Sequence, residues 1–366
     1  MYADTIVDLA ASPLNIPLKA PFVVATARLD AVENVIIRVK LSDGSVGWGE
    51  ASTLPPITVE NQQLALSAVE SAAEWIPGLR AGEWKSIASR MHESMPDYSS
   101  TRAGIEMAII DALVHSRHVP LYTWFGNSGD RIRTDITIPI CPPSPAQALA
   151  TQYAAQGFNV IKTKVGTAVA DDLERLRAIR KGHPTCILVI DANEGFSTDD
   201  ALAFLRELRG AGIVPGLFEQ PVARDNVEGM QRLTREAGVP IAADESCRSS
   251  ADAKRIARDR LAHVINVKLV KCGVAESLAV ADLARSKGMG MMIGGMVESR
   301  IAIGFSAHFA AGLGGFEWID LDTPLLLAKD PVRGGYVASG PEYDLSGIRS
   351  GHGGWIDLST GGNEDI

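Results

Sequence analysis

From about residue 134 the chain repeats one pattern: a short apolar run rich in β-branched residues, then a longer stretch with helical spacing. The short runs end near Ile140, Lys164, Asp191, Glu219, Asp244, Lys268, Ile293 and Asp320, so successive ends lie 24 to 28 residues apart. That interval holds one strand, one helix and two short loops. Ser144-Pro145-Ala146-Gln147 reads as a capping box with Pro at the first helical position, and Ser197-Thr198-Asp199-Asp200 as a second helix start. Gly157, Gly182, Gly212, Gly238 and Gly288 each fall just before the next strand, where a helix C-cap belongs. Eight such βα units predict a closed parallel barrel over residues 126–327. A doubly wound open sheet is the alternative, but no G-x-G-x-x-G follows an early strand.

Residues 1–125 have another rhythm. Val32–Leu41 is a predicted strand, Asp43-Gly44 a tight turn, and Val46–Glu50 the return strand. Thr53–Thr58 reads as extended. Ala103–His118 reads as an amphipathic helix with Ile105, Ala108, Ile109, Ala112 and Leu113 on one face. Strands followed by helices predict an α+β cap, completed by the glycine-rich tail 328–366 packing back on it. The expected fold is therefore α/β: a TIM-type (β/α)7-8 barrel with an N-terminal α+β capping domain.

Composition narrows the class of partner. The chain has 366 residues, 46% hydrophobic and 22% charged, which is ordinary for a globular enzyme. A net charge of -9 without any Lys/Arg run argues against nucleic acid or an anionic membrane. The longest apolar stretches, such as Ile301–Leu313, are too short to span a bilayer. Met1–Ala10 carries acids and no basic segment, so no signal peptide is expected. Cys141, Cys186, Cys247 and Cys272 fit no zinc spacing and read as reduced, which predicts a cytoplasmic protein. Met289–Met292 and His308 read as core.

The charged residues at the strand ends change the picture most. In such a barrel the carboxyl ends of all strands meet on one face, where active sites lie. Lys162 and Lys164, two apart on one strand, share a side, and a core strand does not aim two ammoniums inward without partners. For K-x-K alone a solvated strand end would suffice. Asp191, Glu219 and Asp244, at three consecutive strand ends, supply the partners. Any one of them could merely cap the next helix; three together would repel and raise one another's pKa. A hard divalent cation resolves the repulsion, and all-oxygen ligation with room for waters and substrate suits one Mg²⁺.

Lys164 lies one strand before the acids and Lys268 one strand after, so the two flank the ion from opposite sides. The ion can bind a substrate carboxylate and spread the charge of an enediolate while one lysine removes the α-proton. A free lysine is neutral in about one molecule in 2,500 at pH 7. Crowding by Lys162 and the cation is expected to lower the pKa of the lysine base toward the working range. Lys162 itself reads as a charge neighbour and a ligand for the substrate carboxylate. Two lysines on opposite faces permit racemisation.

The stretches Lys162-Thr163-Lys164, Asp191-Ala192-Asn193, Glu219-Gln220-Pro221, Asp244-Glu245-Ser246 and Val267-Lys268-Leu269, in this order and spacing, resemble the enolase superfamily, muconate-lactonizing subgroup. Lysine bases acting with Mg²⁺ are an established feature of that superfamily. The resemblance spans nearly the whole chain. It implies Asp191, Glu219 and Asp244 as metal ligands, Lys164 and Lys268 as the acid/base pair, and Asn193 and Glu245 supporting the ligands from behind. Thr137, Gly295 and Val297 line the pocket by family position. No His follows Met292-Ile293-Gly294-Gly295, unlike the mandelate-racemase branch.

The last strand gives Asp320 and Asp322, which share a face. Paired acids favour a cation, and a free α-ammonium is the natural one. This D-x-D resembles that of dipeptide epimerases, which implies inversion at the Cα of a dipeptide's C-terminal residue. Muconate cycloisomerase, o-succinylbenzoate synthase and N-acylamino acid racemase chemistry on the same site remain alternatives, as does a non-catalytic binding barrel. Paired acids would repel the anionic substrates of the first two. Arg28 falls in a polar loop, Thr26-Ala27-Arg28-Leu29, that in relatives folds over the mouth. An Arg there would pair with a side-chain carboxylate, as in L-Ala-L/D-Glu epimerases; an ordinary surface Arg is the alternative. The resemblance also implies a homo-oligomer.

Overall fold

The computed structural model describes residues 2–24, 27–55, 57–166 and 168–358; at 22–24 and 27–28 only the backbone is described. Near the start, β1 (Ile6–Val24), β2 (Ala27–Leu41) and β3 (Val46–Ala51) form an antiparallel sheet in that order. The β2–β3 turn sits at Asp43-Gly44, where Gly44 takes φ +93° and Asp43 accepts the Ser45 N–H at 2.8 Å. Four helices follow: α1 (Gln62–Ala73), α2 (Trp84–Ser94), α3 (Ser99–Ser116) and the short α4 (Leu121–Trp124). The predicted extended stretch at 53–58 is instead folded into a turn, since Ile57 and Thr58 both donate to Leu54 O, at 2.7 and 3.0 Å.

Helix α3 departs from the one-faced expectation: Ser100 to Val114 are buried on every side. The helix lies directly on β3 because Gly47 and Gly49 leave room. A Cβ at Gly49 would stand 2.0 Å from Gly104 O. This close approach packs α3 on the sheet, with one buried acid on each element, Glu106 on α3 and Glu50 on β3.

After β4 (Arg131–Arg133) the barrel begins. Its elements alternate in order: β5 (Ile136–Ile138), α5 (Pro143–Ala155), β6 (Val160–Lys164), α6 (Val169–Gly182), β7 (Ile187–Asp191) and α7 (Thr198–Gly210). Next come β8 (Leu217–Glu219), α8 (Val227–Glu236), β9 (Ile241–Ala243), α9 (Ser250–Asp259) and β10 (Val264–Val267). The series ends with α10 (Leu269–Cys272), α11 (Val274–Ser286), β11 (Gly290–Gly294), α12 (Arg300–Leu313) and β12 (Phe316–Asp320). Strands β5 to β12 pair in sequence order, all parallel. The Asp135 N–H donates to Ile319 O at 2.8 Å, which brings β12 back beside β5.

Ser197 caps α7 as expected, accepting from the Asp200 N–H at 3.2 Å. The expected capping box at Ser144 is not formed. Helix α5 starts at Pro143, and the cap residue Pro142 makes no side-chain bond. Pro143 and Pro145 carry no N–H, so two of the donors a cap would satisfy do not exist. Gly157, Gly212, Gly238 and Gly288 have positive φ as a C-cap requires, whereas Gly182 is the last residue of α6.

Side chains alternate along the strands, and the barrel interior is layered accordingly. Val189, Leu217, Ala242, Val264 and Met292 form an apolar floor, with Val160 and Trp318 packed against it. The next inward positions, two residues further along each strand, are Lys162, Asp191, Glu219, Asp244, Asn266 and Asp320. Beyond the barrel, β13 (Val332–Gly334), β14 (Val337–Ser339), β15 (Glu342–Asp344) and β16 (Gly354–Ile356) form two small sheets, one of them shared with β4. His352 in this tail donates its N–H to Asp111 of α3 at 2.8 Å. His308 is buried core, its Nδ1 accepting the Tyr122 N–H at 3.0 Å. No helix among the described residues is long and apolar enough to cross a membrane.

Candidate active site

The charged layer above the apolar floor is closely paired. Lys162 Nζ lies 2.7 Å from Glu219 Oε2, 2.7 Å from Asp320 Oδ2 and 3.1 Å from Asp191 Oδ2. Lys164 Nζ is 2.6 Å from Asp191 Oδ2. Lys268 and Lys271 grip the two oxygens of Asp244 at 2.6 and 2.7 Å. Lys162 is 2% exposed and Asp191 and Glu219 wholly buried, so the solvated strand end is excluded.

Burial resists charge on each of these groups, and the neighbours decide the outcome. Burial opposes ionisation of Asp191, yet Lys164 and Lys162 hold its carboxyl down at about 2. Asp244 is held well below the usual carboxylate range by Lys268 and Lys271, against its burial. Glu219 goes the other way: burial and the charge of Asp191 push it up to about 7. Glu245 rises to about 8 through burial and the Asp244 charge. For Lys268 the neighbouring acids decide the direction. Burial favours its neutral amine, but Asp244 and Glu219 outweigh that and raise its pKa.

A cavity of about 370 Å³ opens above this layer, lined by Lys162, Lys164, Asp244, Lys268, Asp320 and Asp322. Thr137, Gly295 and Val297 line it too, as the resemblance implied, and so do Asn193 and Glu245. Asn193 donates its side-chain N–H to Glu245 Oε1 at 3.1 Å and its backbone N–H to Asp191 Oδ1 at 3.0 Å. The cap contributes Leu54, Ile57 and Val59. Arg28 is not in a loop: its backbone pairs with Val23 in the β1–β2 ladder, and its side chain lies outside the described residues.

The lysines of β6 and β10 stand four strands apart in a ring of eight, so they face each other and divide the mouth. On one side are Asp191, Glu219 and Asp244. On the other, Asp135, Asp320 and Asp322 bring carboxylate oxygens within 4.8 Å of one another, the one such acidic group among the described residues. Asp191, Glu219 and Asp244 do not converge to that degree, and an ammonium stands against each of them. Both sides can hold a cation. The first fits Mg²⁺ by its chemistry: three buried carboxylates at consecutive strand ends. The second has two buried oxygens that make no hydrogen bond, Asp135 Oδ1 and Asp322 Oδ1, while Asp322 Oδ2 is fixed on the Thr137 N–H at 2.6 Å. Burial and the Asp320 charge raise Asp322 to about 7.

Four contributors escaped the sequence reading. Asn266, which donates to Glu219 Oε1 at 2.7 Å, and Asp135 lie two residues before Lys268 and Thr137, so strand alternation carried a signal for both. Lys271 reaches Asp244 only through the turn of α10 and had none. Glu50 of the cap holds the segment after β11 in place. It accepts from the Ser299 N–H at 3.0 Å, the Ser299 hydroxyl at 2.6 Å, the Ala302 N–H at 3.3 Å and Asn34 Nδ2 at 2.7 Å. Asn34 also donates to Val297 O at 2.9 Å, which fixes a cavity-lining residue.

A (β/α)8 barrel under an α+β cap, with lysines facing each other across buried acids, defines a protein of the enolase superfamily. Residues 6–126 match the family "Mandelate racemase / muconate lactonizing enzyme, N-terminal domain", and residues 146–358 match "Enolase C-terminal domain-like". The chain belongs to the mandelate racemase/muconate lactonizing enzyme family. It is 50% identical to an L-Ala-D/L-amino acid epimerase of Populus trichocarpa over 351 residues, covering 94% of this chain and 83% of that one. It is 41% identical to an aromatic dipeptide epimerase of Herpetosiphon aurantiacus over 350 residues, covering 95% and 98%. A dipeptide epimerase from Enterococcus faecalis, solved with Mg and L-Leu-L-Tyr, superposes with a TM-score of 0.92 at 30% identity, covering 96% and 99%.

Proposed function

We propose that this protein is a Mg²⁺-dependent dipeptide epimerase, an isomerase that inverts the Cα of a dipeptide's C-terminal residue by two-base proton transfer, with L-Ala-L/D-Glu as a candidate substrate. The observation that carries the reading is the divided mouth: acids for a metal on one side, acids for an ammonium on the other, facing lysines between. Asp191, Glu219 and Asp244 would hold the ion. When bound, it supplies positive charge that offsets these carboxylates and the charge developing on the substrate's own carboxylate. Lys162 sits under that carboxylate's place, anchored by Asp191, Glu219 and Asp320. Asp320 and Asp322 receive the N-terminal ammonium. A neutral Nζ of Lys164 or Lys268 takes the α-proton, and the protonated Nζ opposite returns one to the other face. Free-amine substrates suit the paired acids better than the anions of cycloisomerases.

The cap (1–125, with the tail 328–366) closes the site through Leu54, Ile57 and Val59, while residues 126–327 carry the chemistry. The same reading makes the protein a cytoplasmic homo-oligomer that binds a small dipeptide. The four cysteines, each unpaired, suit a reducing compartment. Incubating the protein with a dipeptide library and Mg²⁺ in D₂O tests the function: α-deuterium is expected in C-terminal residues, and Lys164→Ala and Lys268→Ala each abolish epimerisation. No deuterium in any dipeptide, or full activity in either variant, sinks it.

A further inference from the structure

Six cationic side chains line the cavity: Lys162, Lys164, Arg224, Arg248, Lys268 and Lys271. Five have carboxylate partners. The four lysines are paired within the charged layer, and Arg224 holds Glu194 through Nε at 2.9 Å and Nη2 at 2.6 Å, with its backbone N–H adding a third bond at 2.7 Å. Arg248 differs. Its backbone N–H donates to Asp252 Oδ2 at 3.1 Å, but its guanidinium makes no hydrogen bond and no ion pair among the described residues. It belongs to the same βα loop as Asp244 and Glu245, and it is exposed at the mouth.

The directions left to a bound dipeptide decide what an unpaired guanidinium there would meet. With its C-terminal carboxylate on the Asp191/Glu219/Asp244 side and its ammonium on the Asp320/Asp322 side, the Cα lies between the lysines. Its side chain then has one way out, toward the mouth. We propose that Arg248 selects that side chain by pairing with a side-chain carboxylate, while Leu54, Ile57 and Val59 cover its methylenes. The inference rests on the epimerase reading above and assigns the acidic specificity of that same site. A guanidinium suits the task because its planar fork matches a carboxylate with two parallel N–H···O bonds.

The test compares kcat/KM for L-Ala-L-Glu and the uncharged near-isostere L-Ala-L-Gln, in the wild type, Arg248→Ala and Arg248→Glu. The Glu-over-Gln ratio is expected to fall about tenfold in Arg248→Ala, through KM, as loss of a charge-assisted bond at a partly solvated position implies. In Arg248→Glu the preference turns toward L-Ala-L-Lys. An unchanged ratio overturns the assignment, as does an equal fall for both substrates, which would place Arg248 on a part that all dipeptides share. If the wild type epimerises none of these three but labels other dipeptides of the library, the assignment fails and the epimerase reading stands; if it labels no dipeptide at all, both fail. Unaltered unfolding temperatures separate these results from misfolding.

Discussion

Replacing Asp320 by Asn removes one negative charge from the side of the mouth that would receive the substrate's ammonium. The Asn carbonyl still accepts from Lys162, which also keeps Asp191 and Glu219 at 3.1 and 2.7 Å, so the stability cost is about 1 kcal/mol. The loss to the substrate is larger. A hydrogen bond between charged partners contributes about 1.5 to 3 kcal/mol, and 1.4 kcal/mol is about tenfold, so kcat/KM falls about 10- to 100-fold. Asp322 moderates the loss. Burial and Asp320 together raise it to about 7, so without the Asp320 charge it ionises more readily and takes over part of the role. The expected loss therefore lies nearer tenfold. The assay is the initial rate of α-deuterium incorporation for L-Ala-L-Glu and for its N-acetyl derivative, which has no ammonium. Only the free dipeptide should suffer. Equal losses for both, or no loss for either, would refute the placement of the ammonium at Asp320.

Two stability predictions concern the cap. Glu50→Ala strands the Ser299 and Ala302 N–H groups in a buried site, at about 1 to 3 kcal/mol each, so urea unfolding should register about 3 to 5 kcal/mol. Glu50→Gln keeps one acceptor and should recover more than half; a cost under about 1 kcal/mol for the Ala variant would show that Glu50 is not the clamp. Glu106 accepts the Ala275 N–H at the start of α11, and burial raises its carboxyl from 4.5 to about 7. A raised carboxyl contributes stability that is present below about pH 4.5 and lost as pH climbs through 7, about 2.5 kcal/mol between pH 5 and 8. Glu106→Gln keeps the acceptor without the titration, so it should gain on the wild type by about that amount over this window; parallel curves would refute the assignment.

Much of the architecture is written in the order of residues. Lys164, Asp191, Glu219 and Asp320 end their strands as the apolar runs imply, and β9 and β10 end one residue short of Asp244 and Lys268. Side-chain alternation is a local property, and it fixed which of these residues face the barrel axis. It could not say that α5 begins on two prolines or that Arg28 lies in a strand, since these depend on neighbours beyond the local pattern. Nor could it give the state of Lys268. That depends on which acids stand beside it, and local sequence does not specify distance across a barrel.

Tertiary structure alone decided the pairing. Lys162 meets Asp320 from 158 residues away, and Glu50 meets Ser299 from 249, because barrel closure and the docking of β3 on the barrel bring them together. Among the described residues it alone also left the Arg248 guanidinium without a carboxylate partner while giving one to every other cation of the cavity. Charge types can be read along a chain. Their mutual distances, which set every Coulomb energy in the site, exist only once the ring of strands has closed.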